Sequence, residues 1–152
     1  MSQGLYFPLF IDLSKKKIVV IGAGTIAKRR IRALYDFVGQ ITVVAPEIHP
    51  DIQKLANTDK LKTVRKLYES ADIDDADIVL AATNDKIVNR EIAELCKEKH
   101  IPVNNCSERK QCDFYFPGVI HTENVVIGVT ASGQDHAKAK EIKEKIKEAL
   151  DK

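Results

Sequence analysis

The chain has 152 residues, about one domain by the usual prior of roughly 100–200 residues per domain. Apolar residues make up 44%, which suits a packed core rather than a disordered chain, while 24 Lys+Arg against 22 Asp+Glu leave a net charge of +2. That near-balance argues against a dedicated nucleic-acid binder with its clustered basic face. No stretch approaches the ~18–20 apolar residues that span a bilayer, so no membrane association is expected.

The apolar residues 5–13 are interrupted by Pro8 and Asp12, and Lys15, Lys16 and Lys17 follow them rather than precede them, unlike a secretory signal. The first strong element is Lys17-Ile18-Val19-Val20-Ile21-Gly22, a β-branched run suited to a strand buried on both faces. After Gly22-Ala23-Gly24 a helix is predicted from Ala27, Ile31, Leu34 and Val38, with Gly39 as its stop. A second buried strand covers 41–44, a short helix 48–56, a strand 61–67 and a strongly buried strand 78–82. Val88, Ile92, Leu95 and Lys99 mark another helix, and 101–104 the next strand. Strands and helices in alternation predict a Rossmann-like, doubly wound parallel α/β sheet over about residues 15–106. The pattern then changes. Residues 113–120 and 124–130, joined by His121-Thr122-Glu123, resemble an antiparallel hairpin, and a helix follows over 135–150. Ser132 with Asp135 fits a capping box. Ala139, Ile142, Ile146 and Ala149 form a seam that needs a partner. The expected division is a dinucleotide-binding domain over 1–111 and a homodimerisation segment, hairpin plus helix, over 112–152.

Gly22-Ala23-Gly24-Thr25-Ile26-Ala27 matches G-x-G-x-x-[G/A] between strand and helix. The first glycine permits the tight turn, the second lets backbone approach a pyrophosphate, and the small third residue lets helix and strand pack closely. The pyrophosphate then sits on a helix N-terminus, where free N–H groups and the dipole favour anions. An acid about 20 positions on usually holds the ribose hydroxyls. Here the second strand ends at Val44-Ala45-Pro46, the first acid is Glu47, and no Arg stands ready for a 2′-phosphate, which favours NAD over NADP. Glu47 either reaches the ribose or is an exposed charge capping the next helix. Thr83 and Asn84 lie at the C-terminal end of a buried strand, where ligands bind in open α/β sheets; they serve the cofactor or cap the following helix. Asn104-Asn105-Cys106-Ser107 ends the next strand, suited to ligand contact or to local backbone bonding. Cys96, Cys106 and Cys112 form no CxxC pair and read as reduced thiols of a cytoplasmic protein. Cys106 and Cys112 with His121 or His136 match no zinc spacing, so no metal site is expected. Lys28, Arg29, Arg30 and Arg32 read as a solvated helix face.

Several segments together resemble a known family. They are Pro8-Leu9-Phe10-Ile11-Asp12-Leu13, Val20-Ile21-Gly22-Ala23-Gly24-Thr25-Ile26-Ala27-Lys28-Arg29-Arg30 and Thr42-Val43-Val44-Ala45-Pro46. Ala81-Ala82-Thr83-Asn84-Asp85 with Val88-Asn89, Pro102-Val103-Asn104 and Cys112-Asp113-Phe114-Tyr115-Phe116-Pro117 complete the set. In this order they are similar to precorrin-2 dehydrogenase, the NAD-dependent module of sirohaem synthases. The resemblance implies oxidation of precorrin-2, an anionic tetrapyrrole, to sirohydrochlorin in sirohaem biosynthesis, and a homodimer built by the C-terminal hairpin and helix. It places Thr25, Ile26, Pro46 and Glu47 at NAD-contacting positions. Arg29, Arg30, Arg109 and Lys110 are candidates for the substrate's carboxylates. The family usually reads Asn-Val-x-Asp after this strand, with the Asp as catalytic acid/base. Here Ser107 stands in its place, followed by Glu108; Ser107 and Asp113 are the catalytic candidates, and either Glu108 or Asp113 takes over the acid/base role, or the step relies on hydride transfer and solvent, or activity is weak. A second departure is Thr130-Ala131-Ser132-Gly133, where many relatives carry Ser-Ser/Thr-Gly-Gly and a proline. Longer members continue into a helical domain linked to substrate binding and metal insertion, so ferrochelation is not implied. The alternative is a non-catalytic module that senses NAD(H) and regulates a partner protein.

Overall fold

The structure is a computed structural model that describes residues 4–56 and 58–152. Its strands and helices are β1 (Lys17–Ile21), α1 (Thr25–Leu34), β2 (Gln40–Val44), α2 (Pro50–Leu55), β3 (Leu61–Val64), β4 (Ile78–Ala81), α3 (Lys86–Glu98), β5 (Val103–Asn105), β6 (Gly118–Thr122), β7 (Val125–Val129) and α4 (His136–Leu150), with 3₁₀ turns at Ser70–Ile73 and Arg109–Gln111. Two compact units result: residues 12–114, and residues 4–11 with 115–152.

In the first unit, five parallel strands run in the order β3-β2-β1-β4-β5. The winding reverses between β1 and β4, as in a Rossmann-like doubly wound sheet, and ligands bind outside the strand C-termini at such a reversal. The β-branched run of β1 explains its central place: Ile18, Val19, Val20 and Ile21 are all buried, with β2 on one side and β4 on the other. Ile31 and Ala27 of α1 and Ile92 of α3 are fully buried.

Element ends depart from the periodicity for identifiable reasons. α1 stops at Leu34, whose carbonyl accepts from Phe37 and Val38 in a closing turn. Gly39 therefore does not cap it. Instead its N–H bonds Leu13 O at 2.9 Å, and a Cβ there would lie 2.6 Å from Ser14 O. α2 begins at Pro50 because His49 is its cap, the ring Nδ1 accepting the Asp51 N–H. α3 starts at Lys86, since the Asp85 carboxylate accepts the N–H groups of Ile87 and Val88. Its buried stripe is Asn89, Ile92, Ala93 and Cys96; Lys99 is the exposed C-cap. The basic cluster is divided rather than uniformly solvated. Lys28 and Arg32 pair with Asp51 of α2, and Arg30 turns to β5.

In the second unit, β6 and β7 pair antiparallel from Gly118↔Val129 to Thr122↔Val125, so the turn is only Glu123-Asn124, with Glu123 at φ 47°. α4 is capped by Asp135, which accepts the Lys138 N–H at 2.8 Å. Ser132, predicted in that capping motif, is instead buried at φ 53°, and its Oγ accepts the Tyr6 N–H at 3.1 Å. The Tyr6 and Tyr115 rings lie 4.2 Å apart. These two contacts tie residues 4–11 to the C-terminal elements.

Gly39→Ala should destabilise the protein by about 1–3 kcal/mol, the usual cost of forcing an added carbon into packed structure, because the obstacle is backbone. Chemical denaturation of parent and variant measures it.

Candidate functional site

The strand C-termini at the reversal form a cleft of about 230 Å³. Gly24, Thr25 and Ile26 come from the β1–α1 turn, Ala82, Thr83 and Asn84 from the end of β4, and Cys106 and Ser107 from the end of β5. The two glycines do different work. Gly22 sits at φ 107°, and a Cβ on it would meet Ala82 O at 2.2 Å, so only glycine lets the turn cross the end of β4. Its N–H bonds Val44 O, and the Ala23 carbonyl accepts the His49 N–H, which anchors the turn to β2 and the loop after it. A Cβ on Gly24, by contrast, meets nothing within 4 Å. Gly24 also caps α1 without any side-chain hydrogen bond, and the first turn of α1 holds no acid. The helix N-terminus therefore offers its N–H groups and dipole to an anion across an unobstructed glycine, which fits a dinucleotide pyrophosphate.

The far wall is set by buried carboxamides. Asn89, 1% exposed, accepts on Oδ1 from the Thr83 N–H (3.0 Å) and from Thr83 Oγ1 (2.7 Å). Its Nδ2 donates to Thr83 O (3.0 Å) and to Ser107 Oγ (3.1 Å). Asn105 accepts on Oδ1 from both the N–H (2.9 Å) and the hydroxyl (2.8 Å) of Ser107, and its Nδ2 donates to Gln111 Oε1. Asn104 accepts from Arg30 Nη1 at 3.1 Å and donates to Phe114 O. Both asparagines of β5 are buried and committed to bonds within the protein, Asn105 to nearby residues and Asn104 to Arg30 of α1 and Phe114. Sequence reasoning missed Asn89, although a polar residue on the stripe shared by Ile92, Ala93 and Cys96 was a signal for it.

Of the predicted site residues, Gly24, Thr25, Ile26, Thr83, Asn84 and Ser107 come together at the cleft, with Gly22 supporting the turn beneath it. Pro46 and Glu47 are exposed on the loop after β2, on the same edge of the sheet but not in the cleft lining. Glu47 does not cap α2, since His49 does; nor do Thr83 or Asn84 cap α3 in place of Asp85. Asp113 is not in the lining either. Its Oδ2 accepts the Val103 N–H at 2.9 Å and its own N–H bonds Val103 O, so it clasps the start of β5.

Burial pushes the thiols of Cys106 and Cys112 up, with the nearby Arg30 opposing, and pushes Cys96 up to about 11. All three stay protonated near neutrality and none is an activated nucleophile. No group of three or more His, Cys, Asp or Glu could hold a metal ion among the described residues. Among the same residues no helix is long and apolar enough to cross a membrane.

A reversing parallel sheet with a glycine turn, an open helix N-terminus and a cleft at the strand ends defines a Rossmann-type dinucleotide-binding module. An NAD(P)-binding family model matches residues 9–118, and the chain belongs to that family. It is 39% identical over 142 residues to a protein of Ruminiclostridium josui named as a probable multifunctional siroheme biosynthesis protein HemA, covering 93% of this chain and 28% of that one. It is 31% identical over 145 residues to the siroheme synthase of Ruthia magnifica subsp. Calyptogena magnifica, covering 95% and 31%. The chain thus spans less than a third of the length of these relatives. A solved structure described as SirC, precorrin-2 dehydrogenase superposes with a TM-score of 0.81 at 26% identity, over 95% of this chain and 71% of that one.

The glycines should separate in mutagenesis. Gly24→Asp should keep its far-ultraviolet circular dichroism and melting temperature yet bind NAD at least tenfold more weakly, because the added carboxylate enters open space where an anion must approach. Gly22→Ala should instead lose stability first, since its Cβ meets backbone at a positive φ.

Proposed function

We propose that the chain is an NAD-dependent precorrin-2 dehydrogenase, oxidising precorrin-2 to sirohydrochlorin for sirohaem synthesis. The observation that carries this is the open N-terminus of α1 facing the ends of β4 and β5 across one cleft, in a chain whose fold follows a structure described as precorrin-2 dehydrogenase along 95% of its length. NAD, when bound, accepts a hydride from a ring carbon of the substrate, and a second hydrogen leaves as a proton. Gly24, Thr25 and Ile26 would hold the pyrophosphate, and Thr83 and Asn84 line the same cleft from the end of β4. Pro46 and Glu47 stand toward the adenosine half, beyond β2.

Much of the rate comes from holding the two reactants in register. Ser107 borders the cleft with its proton on Asn105, so toward the cleft the hydroxyl is an acceptor of hydrogen bonds, and a neutral alcohol is too weakly basic to take up the proton; it orients the reactants. We read Asp113 as the clasp on β5, with the proton released to water. Arg29 and Lys110 are exposed and available to the substrate's carboxylates, whereas Arg30 is engaged with Asn104.

The working form proposed is a homodimer. Leu5 (92% exposed), Phe7 (86%), Phe10 (75%) and Ile11 lie bare along the N-terminal segment of this unit. Of the predicted seam on α4, Ala139 and Ile146 are half-buried while Ile142 and Ala149 are exposed, and no residue of that helix is buried. So much bare apolar surface in one unit favours association, and a second copy covers it without any further component.

Purified protein mixed anaerobically with precorrin-2 and NAD⁺ should produce NADH and sirohydrochlorin in equal amounts. Binding of NAD without turnover would return the chain to the class of NAD(H) sensors. Asp113→Asn should lower the melting temperature while leaving kcat of the folded enzyme within twofold; a large loss of kcat at unchanged NAD affinity would make Asp113 the proton acceptor instead. Phe7→Asp with Phe10→Asp should sediment as a monomer with its circular dichroism retained, where the parent sediments as a dimer.

A further inference from the structure

We propose that Ser107 selects its ligand as a hydrogen-bond acceptor for the carboxamide N–H of nicotinamide, with Asn89 and Asn105 as the positioning residues that fix the direction of its hydroxyl. The inference rests on the proposed dehydrogenase site and adds a specificity contact to it.

The direction follows from counting donors and acceptors. Asn89 Oδ1 accepts the Thr83 N–H and lies 2.7 Å from Thr83 Oγ1, whose one proton is shared with Asp85 O, and both Nδ2 protons are placed, on Thr83 O and Ser107 Oγ. A flipped amide would set an N–H against the Thr83 N–H and oxygen against the Thr83 carbonyl, so the orientation is determined. Ser107 Oγ therefore receives a proton from Asn89, and its own proton goes to Asn105 Oδ1 at 2.8 Å. Asn105 is equally constrained, because the Ser107 backbone N–H requires an acceptor at Oδ1 while Nδ2 faces Gln111 Oε1. A hydroxyl has one proton and two lone pairs. With the proton and one lone pair used inside the protein, exposed Ser107 has a single lone pair left for the cleft it lines.

Whatever sits there must be a donor. With the pyrophosphate on α1 and the adenosine half toward β2, the other half of the dinucleotide passes the ends of β4 and β5. The carboxamide NH₂ is the donor its nicotinamide ring carries. A methyl ketone at this position has no N–H to offer and sets either a methyl group or, turned over, a carbonyl lone pair against Ser107. The two asparagines thus act at a distance from the ligand: they make an ordinarily ambivalent hydroxyl directional.

The test compares binding of NAD and its 3-acetylpyridine analogue, in which a methyl replaces the carboxamide NH₂, by calorimetry on the protein alone. The parent should bind the analogue about fivefold more weakly, the worth of roughly one hydrogen bond. Ser107→Ala, at an exposed position, should bind the two within twofold of each other, and Ser107→Thr should restore the preference. Equal binding by the parent, or a preference that survives in Ser107→Ala, overturns the proposal while leaving NAD-dependent turnover to stand or fall separately. Failure of the parent to bind either dinucleotide overturns both.

Discussion

The site depends on a single close approach, that of the Gly22 backbone to the carbonyl of Ala82. The turn after β1 crosses directly over the end of β4, with no room for even a methyl group, and that crossing aims α1 back over the sheet. Because β1 and β4 flank the reversal of the winding, the helix N-terminus is delivered to the edge where two sets of crossovers diverge. The bonds from Gly22 N–H to Val44 O and from His49 N–H to Ala23 O hold the turn from its other side. An anion site made in this way needs no cationic side chain. It uses N–H groups that any helix start leaves unpaired, and its cost lies in the glycine's conformational freedom.

The opposite wall is built on another principle. Thr83 and Ser107 follow different strands, and loops of this kind would wander without a fastening. The Asn89 carboxamide reaches both from the first turn of α3. Buried neutral amides suit the task because each carries two donors and an acceptor of two bonds, so a fully satisfied network fixes geometry without introducing a charge. The Arg30 guanidinium is bonded to Asn104, and burial pulls it down from its ordinary value.

The second unit has the opposite character. Its hairpin and helix enclose little core, Ile120 and Ser132 being buried among mostly half-covered neighbours, and its N-terminal segment carries bare leucine and phenylalanine. Two strands and one amphipathic helix cannot hide that much apolar surface by themselves. The physical demand is for further apolar surface to pack against it.

Much of this was legible in the sequence. The β-branched runs at 18–21, 41–44 and 78–81, separated by amphipathic stretches, determined a parallel sheet, because strands buried on both faces leave no polar alternation to hide. Gly22 and Gly24 between strand and helix determined where an open helix N-terminus would stand. The 3.6-residue period could not locate helix ends, because those were decided by single side chains such as Asp85, His49 and Asp135 accepting N–H groups that only a folded turn presents. Ser132 looked like a helix cap and became the anchor of Tyr6, a contact across 126 residues that no local pattern encodes. Asn89, Asn105 and Ser107 likewise become one network only when α3 and the end of β5 are brought side by side. Local chemistry determined which elements exist and where the glycine turn falls. Which polar atoms meet, and hence which way the Ser107 hydroxyl points, was decided by tertiary structure alone, because a hydrogen bond depends on distance and direction and the order of residues specifies neither.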